Sequence, residues 1–563
     1  MLGSEALLDR RMRSATRIPP RRADWVRVLH AILNTPTTAA QIDDDRVPFG
    51  QAFAPFIEYA HRRLIAGAGL ARSVLSPAAL AALEGELLDH LGLIASLALG
   101  RVFYDFRFAL APLSAFEELW VQQSRSTRIY RQFVDHLLRG GWQDVFERYP
   151  VLARLMVQSV EQAIENSSRL CRRILADLPR LRRHFGELTL PIASVSANLS
   201  DRHNGGQSVA CLTFANGRQL IYKPRSVMPE IFFNRVLRWT NRRGLTLPLR
   251  TVSALDRGAY GWMEYVPHHD CADALEVSQF YWRAGALLAL LHACGVSDIH
   301  CENLIACGDH PVVVDLETLL AERRGSVLGT GLLPSPFTAR ESAADASALG
   351  ASAVQDSGLR FPMWMHANTD QMILVDGSPR ETAQHRVRLN GALVQATDFV
   401  RELKAGFREA YACLLVHRIK LRSEPWLERL RLFDLRILVR DSATYGRMHL
   451  HLLYPEHLED GRDRSIELEW LARPLCIRAK ASRGRVAIYQ HERSAMERLD
   501  LPLFTTKMWH GMRHDPATQE ARAFGSVRDA KALRRRLAQL SERDCRRQLA
   551  AITRSLKAAA GMR

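Results

Sequence analysis

The sequence predicts an α+β fold, and three observations carry that expectation. Residues 1–190 read as almost entirely helical, because apolar side chains recur there at roughly 3.6-residue spacing. The period changes at Leu188, after which short β-branched runs alternate with Gly-containing turns. Helical spacing closes the chain, at Leu533, Leu537, Leu540, Leu549, Ile552 and Leu556. At 563 residues the chain exceeds what one core can fill. Four units are expected, over 1–190, 191–270, 271–420 and 421–563.

Composition sets the class. A hydrophobic fraction of 47% with 24% charged residues is that of an ordinary globular protein. The net charge of +17 comes almost entirely from Arg, a bias that codon usage also produces, and no nucleic-acid-binding signature accompanies it. An anionic partner such as a nucleotide or an acidic peptide fits it better. The nine Cys are scattered singly with no C-x-x-C pair, as in a reducing compartment. The first 22 residues lack the apolar core of a secretory signal. Apolar runs near 87–99 and 284–296 contain polar residues and are too short to span a bilayer. The expectation is a cytoplasmic protein with no membrane span and no nucleic-acid partner.

In chain order, Ser76-Pro77 opens a helix whose apolar positions run from Ala78 to Leu93. A second helix spans about 149–178, with Pro179 as its natural stop. Strands at 209–214 and 219–222 join through Asn216-Gly217, a favoured hairpin dipeptide. Just upstream, Asn204-Gly205-Gly206 can form a loop whose backbone approaches a phosphate. Lys223 ends the second strand. In a chain that nearly always uses Arg, a compact ammonium there suits triphosphate contact, although a strand-end Lys reaching for water is the plainer reading. Pro229 starts a helix, and 261–266 forms a short strand carrying Glu264, where a kinase holds adenine. A buried helix over 279–294 leads into the most informative stretch.

That stretch, 295–320, reads GVSDIHCENLIACGDHPVVVDLETLL. Two apolar blocks flank Gly308-Asp309, which predicts a β-hairpin. Such a hairpin brings Asn303 and Asp315 to one end, where two oxygens can share a hard cation. Asp298 stands five residues before Asn303, as in the D-x-x-x-x-N catalytic loop of protein kinases, and Asp315 follows twelve residues on. A polar loop before a buried hairpin is the bland alternative, but so many acids rarely enter a buried β pair without a neutralising partner. Residues 324–357, rich in Gly, Ser, Ala and Thr, read as an activation-loop-like or substrate-facing segment. A strand over 435–440 places Arg436 and Arg440 on one face before Asp441-Ser442, as a phosphate clamp or as partners of surface acids. The order of Gly loop, strand Lys, hinge-like strand, buried helix, D-x-H-x-x-N and D-x-E is that of a bilobal phosphotransferase. Residues 191–270 are then its N-lobe and 271–420 its C-lobe, with 421–563 completing the site.

At the level of motifs the sequence resembles the N-terminal dehydratase domain of class II (LanM-type) lanthipeptide synthetases. The resemblance rests on Asp201-Arg202-His203-Asn204-Gly205-Gly206, Leu220-Ile221-Tyr222-Lys223-Pro224-Arg225-Ser226, and Ser297-Asp298-Ile299-His300-Cys301-Glu302-Asn303. Val314-Asp315-Leu316-Glu317-Thr318 and Asp500-Leu501-Pro502-Leu503-Phe504-Thr505 continue the set. It implies a lipid-kinase-like bilobal fold with a large helical N-terminal region and additional C-terminal elements. It also implies ATP and magnesium as cofactors. Ser and Thr of a ribosomal precursor peptide, a leader plus a Ser/Thr-rich core, would be phosphorylated, and phosphate elimination would give dehydroalanine and dehydrobutyrine. By motif, Lys223 would contact ATP phosphates, Asp298 would activate the substrate hydroxyl with His300 in support, and Asn303, Asp315 and Glu317 would hold magnesium. Asp201, His203, Arg436 and Ser442 would carry elimination, with Ser442 standing where the family usually has Thr. The family's C-terminal cyclase is not within these residues: the chain is either an excised dehydratase or a stand-alone one, and in the second case its product would go to a separate cyclase or tailoring enzyme or stay uncyclised. Two other readings stand beside this one: a peptide Ser/Thr kinase without elimination, and a non-catalytic kinase-like peptide-binding subunit.

Overall fold

A computed structural model describes residues 22–37, 47–67, 70–110, 126–321, 325–334, 345–350, 354–356, 360–377, 380–382, 385–473, 483–507 and 529–561. The N-terminal 21 residues and much of the Gly/Ser-rich segment expected over 324–357 lie outside them.

Two long helices organise the first third. Helix α1 (Pro77–Leu110) starts where Ser76 Oγ accepts from Ala79 N at 3.1 Å. It runs well past the expected Leu93, because the apolar stripe continues through Ile94, Ala98, Leu99 and Phe103, all buried. By length and composition α1 could cross a membrane, yet 61% of its apolar window is buried inside the fold, as in a core helix. Helix α2 (Pro150–Phe185) also exceeds its expected end. Pro179 sits inside it and does not stop it. The lost backbone bond is outweighed by packing on either side, with Ile174 and Leu181 fully buried against the sheet. The front of α2, from Val151 to Val160, belongs to an aromatic-rich helical core with Phe49, Phe103 and Phe133.

A five-stranded antiparallel sheet follows, in the order β1 (Ile192–Ser196), β2 (Ala210–Phe214), β3 (Gln219–Lys223), β5 (Gly261–Glu264), β4 (Ala254–Asp256). The β2–β3 hairpin turns at Asn216-Gly217 as expected, with Gly217 at φ 78°. Helix α3 (Met228–Asn241) packs against β4 and sends Glu230 to Lys223 at the end of β3. Its buried apolar face joins the main core, built around helix α4 (Ala274–Cys294) and helix α5 (Val400–Val416). These two approach backbone to backbone. A Cβ at Gly285 would overlap the carbonyl of Leu403, and one at Gly406 that of Trp282.

The predicted hairpin is present as β6 (Leu304–Cys307) and β7 (His310–Val313), with Leu304 opposite Val313. Strands β8 (Phe361–Met365) and β9 (Ile373–Gly377) form a separate ribbon. The expected strand over 435–440 reduces to β10 (Arg436–Ile437), paired with β11 (Phe504–Thr505). Beyond β10 the chain forms three helices in quick succession: α6 (Ser442–His451), α7 (Glu456–Glu459) and α8 (Gly461–Leu468).

Candidate active site

The site is built where β3, the loop before β6 and the loop after β7 converge. Asp298 takes a left-handed backbone conformation, φ 64°, and its carbonyl accepts from Asn303 Nδ2 at 2.9 Å. The five-residue spacing seen in the sequence is therefore a closed loop. Asn303 O in turn accepts from Val314 N at 3.0 Å, which ties the loop to the far end of the hairpin, one residue before Asp315. Asn303 and Asp315 thus stand at one end of the β6–β7 pair, as the sequence predicted.

Lys223 is buried at the end of β3. Its Nζ reaches Val314 O at 2.7 Å, Glu230 Oε1 at 3.0 Å and Asp315 Oδ2 at 3.3 Å. Arg225, two residues on, donates to Glu230 Oε1 at 2.8 Å and Asp315 Oδ1 at 2.7 Å, with its Nε 3.3 Å from Glu317 Oε2. Glu317 also receives Arg436 Nη1, and its carbonyl accepts from Arg436 N at 2.9 Å. Lys223, Arg225 and Arg436 therefore face Glu230, Asp315 and Glu317, charge for charge. Burial alone would raise the carboxyl of Asp315, but Arg225 and Lys223 hold it far below the carboxylate range. Glu230 is held down in the same way against its own burial. Two of these residues, Arg225 and Glu230, were not singled out from the sequence as site residues. Glu230 stands in the first turn of α3, where an acid reads simply as a helix-dipole partner.

Asp298 is solvent-accessible, yet the walls around it cost its charged form hydration and raise its carboxyl above the ordinary value. His300 and Arg436 oppose that rise, while Glu317 and Asp315 reinforce it. Protein kinases use a loop carboxylate of this kind to accept a hydroxyl proton.

The 201–207 loop forms a second wall, within electrostatic reach of Arg436 and Glu317. His203 and Gln207 exchange backbone hydrogen bonds of 2.9 and 2.8 Å. His203 Nδ1 lies 2.7 Å from the carbonyl of Leu501, and Leu501 N donates to Arg202 O at 2.8 Å. A ring nitrogen facing a carbonyl must carry the proton, so Nε2 is left as the acceptor. Burial first, then the positive charge of Arg436, lower the imidazole below its ordinary value, against the pull of Glu317 and Asp201. His203 is thus a neutral base candidate within electrostatic reach of Arg436, Glu317 and Asp201. Asp201 is exposed at the same mouth and acts on Arg436.

Three sequence expectations are corrected here. Gly205 and Gly206 do not offer their amides to a phosphate. Both donate at 2.7 Å to the carboxylate of Asp500, which is buried, and their positive φ values of 86° and 74° aim them at it. Glu264 does not present a free carboxylate to an adenine, since Arg250 holds it at 2.7 Å and Ser253 N donates to it at 3.0 Å. Arg436 and Arg440 form no common clamp, because Arg440 turns away to Glu492 and the carbonyl of Leu471. Ser442, first residue of α6, is half-buried and makes no hydrogen bond to the other site residues among those described. Asp500, part of a quoted motif, was not recognised as the anchor of the Gly loop. Only the fold brings it across nearly 300 residues of sequence.

Magnesium and ATP can be weighed against these donors. Asp315 and Glu317 are hard oxygen ligands two positions apart, and Asn303, donating through Nδ2, keeps its side-chain oxygen as an acceptor. That chemistry fits a divalent cation. The guanidinium of Arg225 spans the two carboxylates here, so a cation entering would compete with it.

A family model described as domain of unknown function (DUF4135) matches residues 149–507, more than half of the chain and all of the site above. A curated relative is the lacticin 481/lactococcin biosynthesis protein LcnDR2 of Lactococcus lactis subsp. lactis. It is 27% identical over 201 residues, which is 34% of this chain. The match spans 22% of that relative's own length.

Proposed function

The chain belongs to the DUF4135 family, and from that premise we propose that it modifies a lanthipeptide precursor, as an ATP- and magnesium-dependent dehydratase of Ser and Thr side chains. The relative's printed role in lacticin 481/lactococcin biosynthesis supports the broad reading. The observation that supports the finer one is the contact between Glu317 and Arg436. It joins the carboxylate cluster at 298–317 to the wall carrying His203 and Asp201, so two residue sets face one cleft. The reading includes a bilobal, lipid-kinase-like arrangement, with the five-stranded sheet and α3 as one lobe and α4, α5 and the β6–β7 hairpin in the other.

In this mechanism Asp298 would accept the proton of the substrate hydroxyl while the γ-phosphoryl group of bound ATP would pass to that oxygen and ADP would leave. Lys223 and Arg225 supply fixed positive charge beside the transferred group, and Asn303, Asp315 and Glu317 would hold magnesium. Bound ATP and magnesium supply the phosphoryl group and neutralise its charge. For elimination, His203 Nε2 takes the α-proton of the phosphorylated residue. The electron pair left on Cα forms the Cα–Cβ double bond as the Cβ–O bond breaks. Arg436 stabilises the departing phosphate.

The test is mass spectrometry of a cognate precursor peptide incubated with the chain, ATP and magnesium. Net loss of water is expected from the native chain. Arg436→Ala should accumulate phosphopeptide, because the departing phosphate loses its cation while Lys223 and Arg225 remain beside the transferred group. A phosphopeptide that persists with the native chain would reduce the activity to that of a kinase, and no ATP-dependent mass change would overturn the reading.

A further inference from the structure

We infer that His451, His457 and Glu467 form a structural site for a divalent transition-metal ion of the zinc class, separate from the cleft. The three come from three successive helices: His451 ends α6, His457 lies in α7 and Glu467 in α8. Their ligating atoms all lie within 4.8 Å of one another. His451 Nε2 stands 3.3 Å from Glu467 Oε2, and the two imidazole rings are 4.7 Å apart. Donors bonded at about 2.0–2.2 Å to a tetrahedral ion lie roughly 3.3–3.6 Å from each other. The His–Glu pair already has that spacing, which is long for a charge-assisted hydrogen bond.

A second observation points to a ligand. His457 is 8% exposed, and its Nδ1 is buried without a hydrogen-bond partner among the described residues. An orphaned imidazole nitrogen beside a second imidazole and a carboxylate lacks the partner its burial requires. Two imidazoles and one carboxylate suit zinc better than calcium or magnesium, which take oxygen ligands.

The placement gives the site a structural task. Helices α7 and α8 span four and eight residues, too short to hold themselves in water, so a three-helix ligand set would fasten them to α6. The far end of α6 is Ser442, about 14 Å away along the helix at 1.5 Å per residue. His451 is half-exposed, which leaves the fourth coordination position to water.

The full-length chain would be loaded with Zn(II) or Co(II), dialysed, and its metal counted by plasma mass spectrometry. His451→Gln and Glu467→Gln are the test variants, and His30→Gln, an exposed helical histidine, is the control. About one equivalent should remain in the native chain and the control, and each test variant should lose roughly tenfold or more in affinity. Co(II) should give a tetrahedral ligand-field spectrum without a thiolate band, and Zn(II) should raise the melting temperature of the native chain but not of His451→Gln. Because His451 lies on the surface, its substitution preserves the fold. Equal metal in all four proteins would mean an adventitious ion only and would overturn the inference. So would a native chain that retains none.

Discussion

The two walls of the cleft are held in opposite ways. The wall carrying Lys223, Arg225, Glu230, Asp315 and Glu317 is a partly buried lattice of charge pairs, each member touching at least two charged partners, with Arg436 as the second partner of Glu317. The wall carrying Asp201 and His203 is a loop with left-handed residues at Asn204, Gly205 and Gly206, fastened mainly by Asp500 and Leu501. The first is over-determined and stiff. The second depends on one short segment returning from far along the chain. A two-step reaction asks for this contrast, since positioning a phosphoryl group needs fixed charge while releasing it needs a wall that can give way.

Three substitutions or titrations would break or sharpen the contrast. The largest effect should come from Glu230→Ala, which removes the buried carboxylate that Lys223 and Arg225 share and leaves two cations on Asp315 and Glu317 alone. Breaking a buried pair in this way costs about 3–5 kcal/mol, so the urea midpoint should fall steeply. An unchanged midpoint would mean that the lattice is not the stiff wall. Asp500→Ala should cost less. It takes the acceptor from the amides of Gly205 and Gly206, which are only half-buried, so water replaces part of it and the loss is about 1–3 kcal/mol in all. Hydrogen exchange at these two amides should speed up more than in β3, and phosphopeptide should build up as His203 loses its seat. The smallest effect is a difference between two pH profiles. The carboxyl of Asp298 is raised, so phosphorylation should fall on acidification with a midpoint above the ordinary carboxylate value. The imidazole of His203 is lowered, so it stays a free base further into acid. Elimination from a supplied phosphopeptide should therefore lose rate with a midpoint below that of ordinary imidazole. Rates of the two half-reactions measured across pH would separate these limbs.

Much of the first wall was legible in the sequence. The strand ending at Lys223, the Asn216-Gly217 turn and the hairpin around Gly308 are local signals, and local signals survive folding. The spacing of Asp298, Asn303 and Asp315 was legible for the same reason. Glu230 was not, because an acid in a first helical turn has a sufficient local explanation. Its burial against β3 is a fact of tertiary packing. Asp500 was missed because nothing near it in sequence says that it closes on Gly205 and Gly206. The Gly pair was read as a phosphate loop on sound chemistry, since such amides do bind an anion, and the anion here is the chain's own carboxylate. Both helices outrun their expected ends: past Leu93 the apolar stripe simply continues, and at Pro179 the breaking signal is real but weaker than the burial on either side of it.

Helix α2 has one mechanical property that follows from its length. Thirty-six residues at 1.5 Å each make a rod of about 54 Å. Its first half lies in the aromatic helical core and its second half in the core beneath the sheet. Between them Asn166 Nδ2 holds the carbonyl of Gly205 at 2.9 Å, and Arg173 reaches the hydroxyl of Tyr222 on β3. The rod therefore works as a lever with its load near the middle. A tilt of about 5° at one end carries the other through about 5 Å over that length, and the 201–207 loop rides on the beam.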